Sequence, residues 1–151
     1  MTTSVTPSIH NRGSVDTAPF YKFFELGGRI LLASLFLLSG FSKISGYGAT
    51  AGYMASMGVS PALLPIVVAT EVLGSLAVIV GWHTRIAAFL LAGFTLLAAS
   101  LFHNNLGDQI QMIMFLKDVA ITGAFLMLVA NGAGQLSLDY RRALSRGAES
   151  R

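Results

Sequence analysis

The chain has 151 residues, 54% of them hydrophobic and 11% charged, with no cysteine and a formal net charge of +3. Its mean hydropathy of +0.67 is that of a membrane protein. The absence of cysteine excludes thiol relays, iron–sulfur ligation and covalently attached haem, and the small positive excess, carried largely by arginines of the C-terminal tail, points to a membrane surface and not to nucleic acid.

Residues 1–24 read as a polar, disordered cytoplasmic tail of Ser, Thr and Pro. Residues 25–132 read as one four-span membrane domain, with apolar runs at about 26–44, 62–80, 86–102 and 112–130. Each run is close to the ~20 residues needed to cross a bilayer. The first run follows too long a polar tail, and is itself too long, to be a secretory signal; it ends in "SGFSKI" without a small-x-small cleavage pattern. Between spans 1 and 2, "SGYGATAGYMASMGVS" has helical spacing of Tyr53 with Met57, predicting a short interfacial helix over the mouth of the bundle, with a plain connecting loop as the alternative. Ser60 is placed to cap a helix opening at Pro61, Gly81 to close the second span, Thr84 to cap the third and Asn131-Gly132 to close the fourth. Residues 133–151 form a basic cytoplasmic tail in which "QLSLDYRRALSR" reads either as a helix on anionic lipid or as a solvated tail. The fold class is therefore all-α, a four-helix transmembrane bundle with one interfacial helix. Arg12, Lys22, Arg85, Arg141, Arg142, Arg146 and Arg151 flank the side holding both termini, against Lys43 on the other, which predicts cytoplasmic termini.

Ionisable groups within spans are costly unless paired or facing a cavity, so they mark the informative faces. At 100° per residue, Arg29, Ala33, Phe36, Gly40 and Lys43 share a line on the first span, and Val67, Glu71 and Ser75 share one on the second. Arg85, Ala92, Leu96, Ala99 and His103 align on the third span. Gln111, Asp118 and Thr122 align on the fourth, with Lys117, Ala124 and Asn131 as a second stripe. Depth and the lean of side chains toward helix N-termini bring Lys43, Glu71, His103, Gln111, Lys117 and Asp118 to one outward-facing polar pocket. Phe102, Met112, Met114 and Phe115 are its candidate lining. Two cations and two anions cancel there, and the expected pairs are Glu71 with Lys117 and Lys43 with Asp118. Arg29 reads as a snorkelling anchor. His83 and His103 fall at opposite ends of one helix, too far apart to share a haem or metal, so no intrinsic cofactor is expected.

Through "RILLASLFLLSGFSKI", "YMASMGVSP", "EVLGSLAVIVGWHTRIAAFLLAGFTLLAASLFH", "MIMFLKD" and "NGAGQLSLD", about residues 26 to 138, the chain resembles the DoxX family of small four-span membrane proteins. The resemblance implies a bacterial inner-membrane bundle, some of whose relatives are membrane subunits of quinone-reducing oxidoreductases, and it brings no catalytic residues. Asp118 stands where the family pattern commonly has asparagine, which leaves its partner open. Three readings follow. The buried charges are structural; or the pocket takes a quinone head group, with a soluble or membrane oxidoreductase as partner; or the chain is a non-catalytic assembly or chaperone subunit. A homo-oligomer is compatible with all three.

Overall fold

The computed structural model describes residues 19–149, so most of the N-terminal tail, including His10 and Arg12, and Arg151 at the other end lie outside the described residues. In chain order come α1 (Pro19–Ser45), α2 (Tyr47–Ser56), a 3-10 turn (Pro61–Leu63) leading into α3 (Leu64–Val80), α4 (Thr84–Phe102), α5 (Gln109–Asn131) and α6 (Leu138–Glu149). No strand occurs among the described residues. α1, the turn with α3, α4 and α5 are each long and apolar enough to cross a bilayer. The short helix predicted between spans 1 and 2 is α2.

Helix ends follow local chemistry, though not always the chemistry expected. α1 is already helical at Pro19, the first described residue and well ahead of the predicted Leu26. Gly81 and Gly132 close α3 and α5 with φ of 75° and 82°, backbone angles that a side chain disfavours. Asp108 caps α5, its carboxylate accepting from the Gln111 amide at 2.9 Å, so that helix opens at Gln109 and not at Met112. Ser60 takes the cap position of the turn opening at Pro61, as predicted, whereas Thr84 does not cap α4. The Ser60 hydroxyl makes no cap bond, and Thr84 is already inside α4.

The cap of α4 comes instead from the far end of the sequence. Asp139 of α6 accepts from the His83 and Thr84 amides at 2.8 and 2.9 Å, while its own amide donates to the Gly81 carbonyl at 2.8 Å. The "QLSLDYRRALSR" segment is thus a helix whose first turn docks on the α3–α4 corner.

α3 packs against both α1 and α4, and α4 packs against α5. With no water to expel between lipid-bathed helices, close approach is what holds them together. A Cβ on Gly40 would fall 2.6 Å from Val72 Cγ2, and one on Gly74 would fall 3.1 Å from Leu91. The core is Ala33, Phe36, Val78, Ala87, Ala88, Leu91, Ala92 and Phe125. Phe36 meets Phe125 edge-on at 5.3 Å, joining α1 to α5 across the bundle. The α1 and α3 faces point inward as their spacing predicts. On α4 the buried line is Thr84, Ala88, Leu91, Thr95 and Ala99, leaving Arg85 and Leu96 outside. On α5 the Asp118–Thr122 side turns in toward Phe125, and the stripe of Lys117, Ala124 and Asn131 is exposed.

Candidate functional site

At the end of the bundle away from the termini, the four long helices enclose a cavity of about 490 Å³. Its apolar walls come from Phe36 of α1, Ile66 and Val67 of α3, and Phe94, Ala98 and Leu101 of α4. α2 closes the top with Thr50, Tyr53 and Met54. The Tyr53 ring stacks on Phe102 at 5.6 Å between centroids, which pins this lid to the end of α4.

Two polar groupings line the cavity. On one side, Lys43 Nζ lies 2.9 Å from Glu71 Oε1 and donates to Ser39 Oγ at 2.6 Å, while the Ser39 hydroxyl donates to the same Oε1 at 3.2 Å. Glu71 is only 3% exposed, and its Oε2 has no hydrogen-bond partner. An ammonium has three N–H donors, so Lys43 keeps one beyond those given to Ser39 and Glu71. On the other side, His103 Nε2 stands 3.8 Å from Asp118 Oδ2, and its Nδ1 is 2.8 Å from Gln111 Oε1. Gln111 holds the ring's far nitrogen and so orients the imidazole toward Asp118.

The structure thus brings Lys43, Glu71, His103 and Asp118 to one cavity, with Gln111 behind His103. It corrects the expected pairing. Glu71 pairs with Lys43, not Lys117, and Asp118 faces His103, not Lys43. The reason is the helix face. Lys117 is one residue, about 100°, from Asp118 and lies on the exposed stripe of α5, where its ammonium donates only to Met114 Sδ at 3.2 Å. The lining is corrected likewise: Phe102 lines the cavity, whereas Met112, Met114 and Phe115 do not. Tyr53, Met54, Phe36, Phe94 and Thr95 take their place.

The opposite end of the bundle carries a polar cluster that spacing did not reveal. Arg29 is 2% exposed, so it is no snorkelling anchor. Its Nη1 donates to the Val78 carbonyl at 3.2 Å, satisfying the open end of α3, and its Nη2 donates to the Leu136 carbonyl at 2.5 Å. The guanidinium therefore ties α1, α3 and the α5–α6 connection together. Beside it, burial raises the Asp139 carboxyl, but the hydrogen bonds from Thr84 and His83 and the His83 charge outweigh that and hold it below the usual carboxylate range. A larger, more open depression of about 600 Å³, bordered by Arg85, Gly132 and Asp139, lies here. Its anion-seeking amides at the α4 N-terminus are already taken by Asp139.

The family model described as DoxX matches residues 24–104. The chain belongs to the DoxX family. It is 45% identical over 114 residues to inner membrane protein YqjF of Escherichia coli K12, covering 76% of this chain and 88% of that protein. It is 38% identical over 120 residues to inner membrane protein YphA of the same organism, covering 75% and 86%. No solved structure matches it. Four spans and relatives named as inner membrane proteins make this DoxX chain a multi-pass inner-membrane protein. The matched DoxX stretch holds Lys43, Glu71 and His103, whereas Gln111 and Asp118 lie beyond it. Among the described residues, no group of three His, Cys, Asp or Glu side chains is arranged to hold a metal.

Proposed function

We propose that this protein is the membrane subunit of a quinone-linked oxidoreductase and that the cavity under α2 receives the quinone head group. The observation that carries the reading is the Lys43–Glu71 corner. There, an ammonium with an N–H to give stands beside a buried carboxylate with one oxygen lacking any donor. A quinone ring oxygen is an acceptor when oxidised and a hydroxyl donor when reduced, so one corner serves both forms: Lys43 Nζ donates to the carbonyl, and Glu71 accepts from the hydroxyl. The volume fits, at about 490 Å³, within the roughly 300–1,000 Å³ of small-molecule sites. His103, backed by Asp118 and Gln111, supplies a second donor and proton carrier on another wall.

Reduction of the head group consumes two electrons and two protons. Glu71 and the His103–Asp118 pair carry protons; the electrons come from a partner oxidoreductase, since the chain has no cysteine for a cluster or thiol relay. With both termini in the cytoplasm, as the Lys and Arg bias predicts, the cavity faces outward. One observation favours the assembly-subunit reading instead. Lys117 sits exposed on a membrane-spanning helix without a carboxylate, the position a partner helix would fill with Asp or Glu.

The test is binding of a short-tailed benzoquinone to purified protein in lipid nanodiscs, by equilibrium dialysis. Wild type binds, and a Lys43→Met/Glu71→Leu double variant of retained thermal stability binds at least tenfold more weakly. No binding by wild type, or equal binding by the double variant, overturns the proposal.

A further inference from the structure

The cavity is not walled off from the bilayer. α3 and α4 touch tightly where Gly74 meets Leu91, a Cβ there falling 3.1 Å from the leucine. Toward the α2 end both helices line the cavity, which lies between them. Six of its lining side chains are also exposed: Leu35 of α1, Tyr53 of α2, Leu63 and Ile66 of the α3 limb, and Leu97 and Leu101 of α4. Ile66 is 65% and Leu97 60% exposed. A side chain enclosed within a bundle wall does not show most of its surface, so Ile66 and Leu97, the two most exposed, mark the rim of an opening. Every rim residue is apolar, and both helices are spans, so what the opening faces is hydrocarbon.

From these observations we infer that the cavity is loaded sideways from the membrane, through the α3–α4 seam, by an amphiphile whose polar head lodges at Lys43 and Glu71 while its apolar tail lies between Ile66 and Leu97. The head-group part of this inference rests on the reading proposed above; the seam stands on geometry alone. The polar lining beyond that rim includes Lys43 and Glu71, the latter with one oxygen that lacks a donor. α2 bars the direct route from water, its Tyr53 stacked on Phe102 and Met54 buried. A small water-soluble anion gains nothing from such a path, because each end of it is either hydrocarbon or a buried carboxylate. A lipid-borne ligand avoids both penalties, since its tail never leaves an apolar medium.

The experiment compares wild type, Ile66→Trp/Leu97→Trp and, as a control on the same outer surface, Leu73→Trp, all in nanodiscs. The probes are a tail-less benzoquinone, the same ring with a decyl tail, and dodecanol bearing a diazirine near its hydroxyl. Tail-length selectivity of at least tenfold in wild type and in Leu73→Trp, lost in the seam variant, supports the inference, as does hydroxyl-end labelling of Val67 or Thr95 that the seam variant abolishes. If neither ring binds but dodecanol still labels those residues through the seam, the quinone reading falls and the lateral entry stands. Labelling confined to the outer surface, or equal binding and labelling in the seam variant, overturns the inference. So does a change of oligomeric state in the seam variant alone, which would make the seam a contact between copies of this chain.

Discussion

Replacing Lys43 by methionine removes the cation from a carboxylate whose side chain is 4% exposed. Ser39 Oγ, 3.2 Å from Glu71 Oε1, is then the donor that remains. Breaking a buried pair from one side costs ~3–5 kcal/mol, and because Lys43 is itself 25% exposed this pair belongs at the lower end, ~3 kcal/mol. Glu71→Leu costs less, ~1–2 kcal/mol, since the orphaned ammonium can reach the interface along its own stem. The double variant exchanges the pair for apolar side chains and is expected within ~1 kcal/mol of wild type. A double-mutant cycle, read by reversible unfolding in mixed micelles, should therefore give a Lys43–Glu71 coupling of ~3–5 kcal/mol. The same cycle run on Glu71 and Lys117 should give less than ~0.5 kcal/mol. Additive behaviour of the first pair, or strong coupling of the second, refutes the pairing and with it the corner on which the functional reading stands.

Arg29→Met leaves the Val78 and Leu136 carbonyls without their donor; at ~1–3 kcal/mol for each buried group, the variant should lose ~3 kcal/mol or more and become protease-sensitive between α5 and α6. Arg29→Lys should not rescue it, because a point donor cannot span the two acceptors as the guanidinium fork does. Lys117→Met, on the exposed stripe of α5, should leave the isolated protein as stable as wild type or slightly more so, measured by thermal unfolding in nanodiscs. Asp139→Asn should destabilise the α6 dock by ~1 kcal/mol, the usual worth of a helix cap. Because the folded carboxyl is held below its unfolded value near ~3.9, that contribution is fully present above about pH 5 and fades as pH falls below ~4 toward the folded pKa. Stability curves of wild type and variant should therefore converge only at the acid end.

The four spans were readable because hydrocarbon demands long apolar helices and nothing else satisfies the backbone there. The polar faces of α1 and α3 were readable for the same reason: Glu71 and Lys43 each had to turn inward, and their helical spacing said which way. What spacing could not say was which charge meets which. Lys117 and Asp118 are neighbours in sequence and ~100° apart on the helix, so only one could face the bundle, and the choice rested on the rotation of α5 against α4. That rotation is set by Phe125 packing on Phe36, a contact between residues far apart in the chain. The start of α5 was legible and missed: Asp108 with Gln111 three residues on is a capping signal. The Arg29 and Asp139 contacts were not legible, because each joins a helix to backbone carbonyls or amides, and every residue carries those.

Both ends of the bundle bury polar atoms without partners: Glu25 Oε2, Arg29 Nε and Thr84 Oγ1 near the termini, and Glu71 Oε2 at the other end. An unsatisfied atom alone therefore does not mark a site; the space beside it does. Thr84 borders the open depression at the terminal end, but Arg29 and Glu25 do not. A Cβ on Gly81 would fall 2.6 Å from Arg29 Nη1, and one on Gly134 would overlap the Glu25 carboxylate, so protein already fills the ground a ligand would need. Beside Glu71 there is a cavity of about 490 Å³. The same chemistry, a buried charge held by neighbouring polar groups, thus serves as a clamp at one end and as part of a chamber wall at the other. It follows that loss of activity in an Arg29 variant reads stability alone, whereas loss in a Lys43 variant reads stability and binding together. The two are separated only by the apolar double replacement at Lys43 and Glu71, which restores the first without restoring the second.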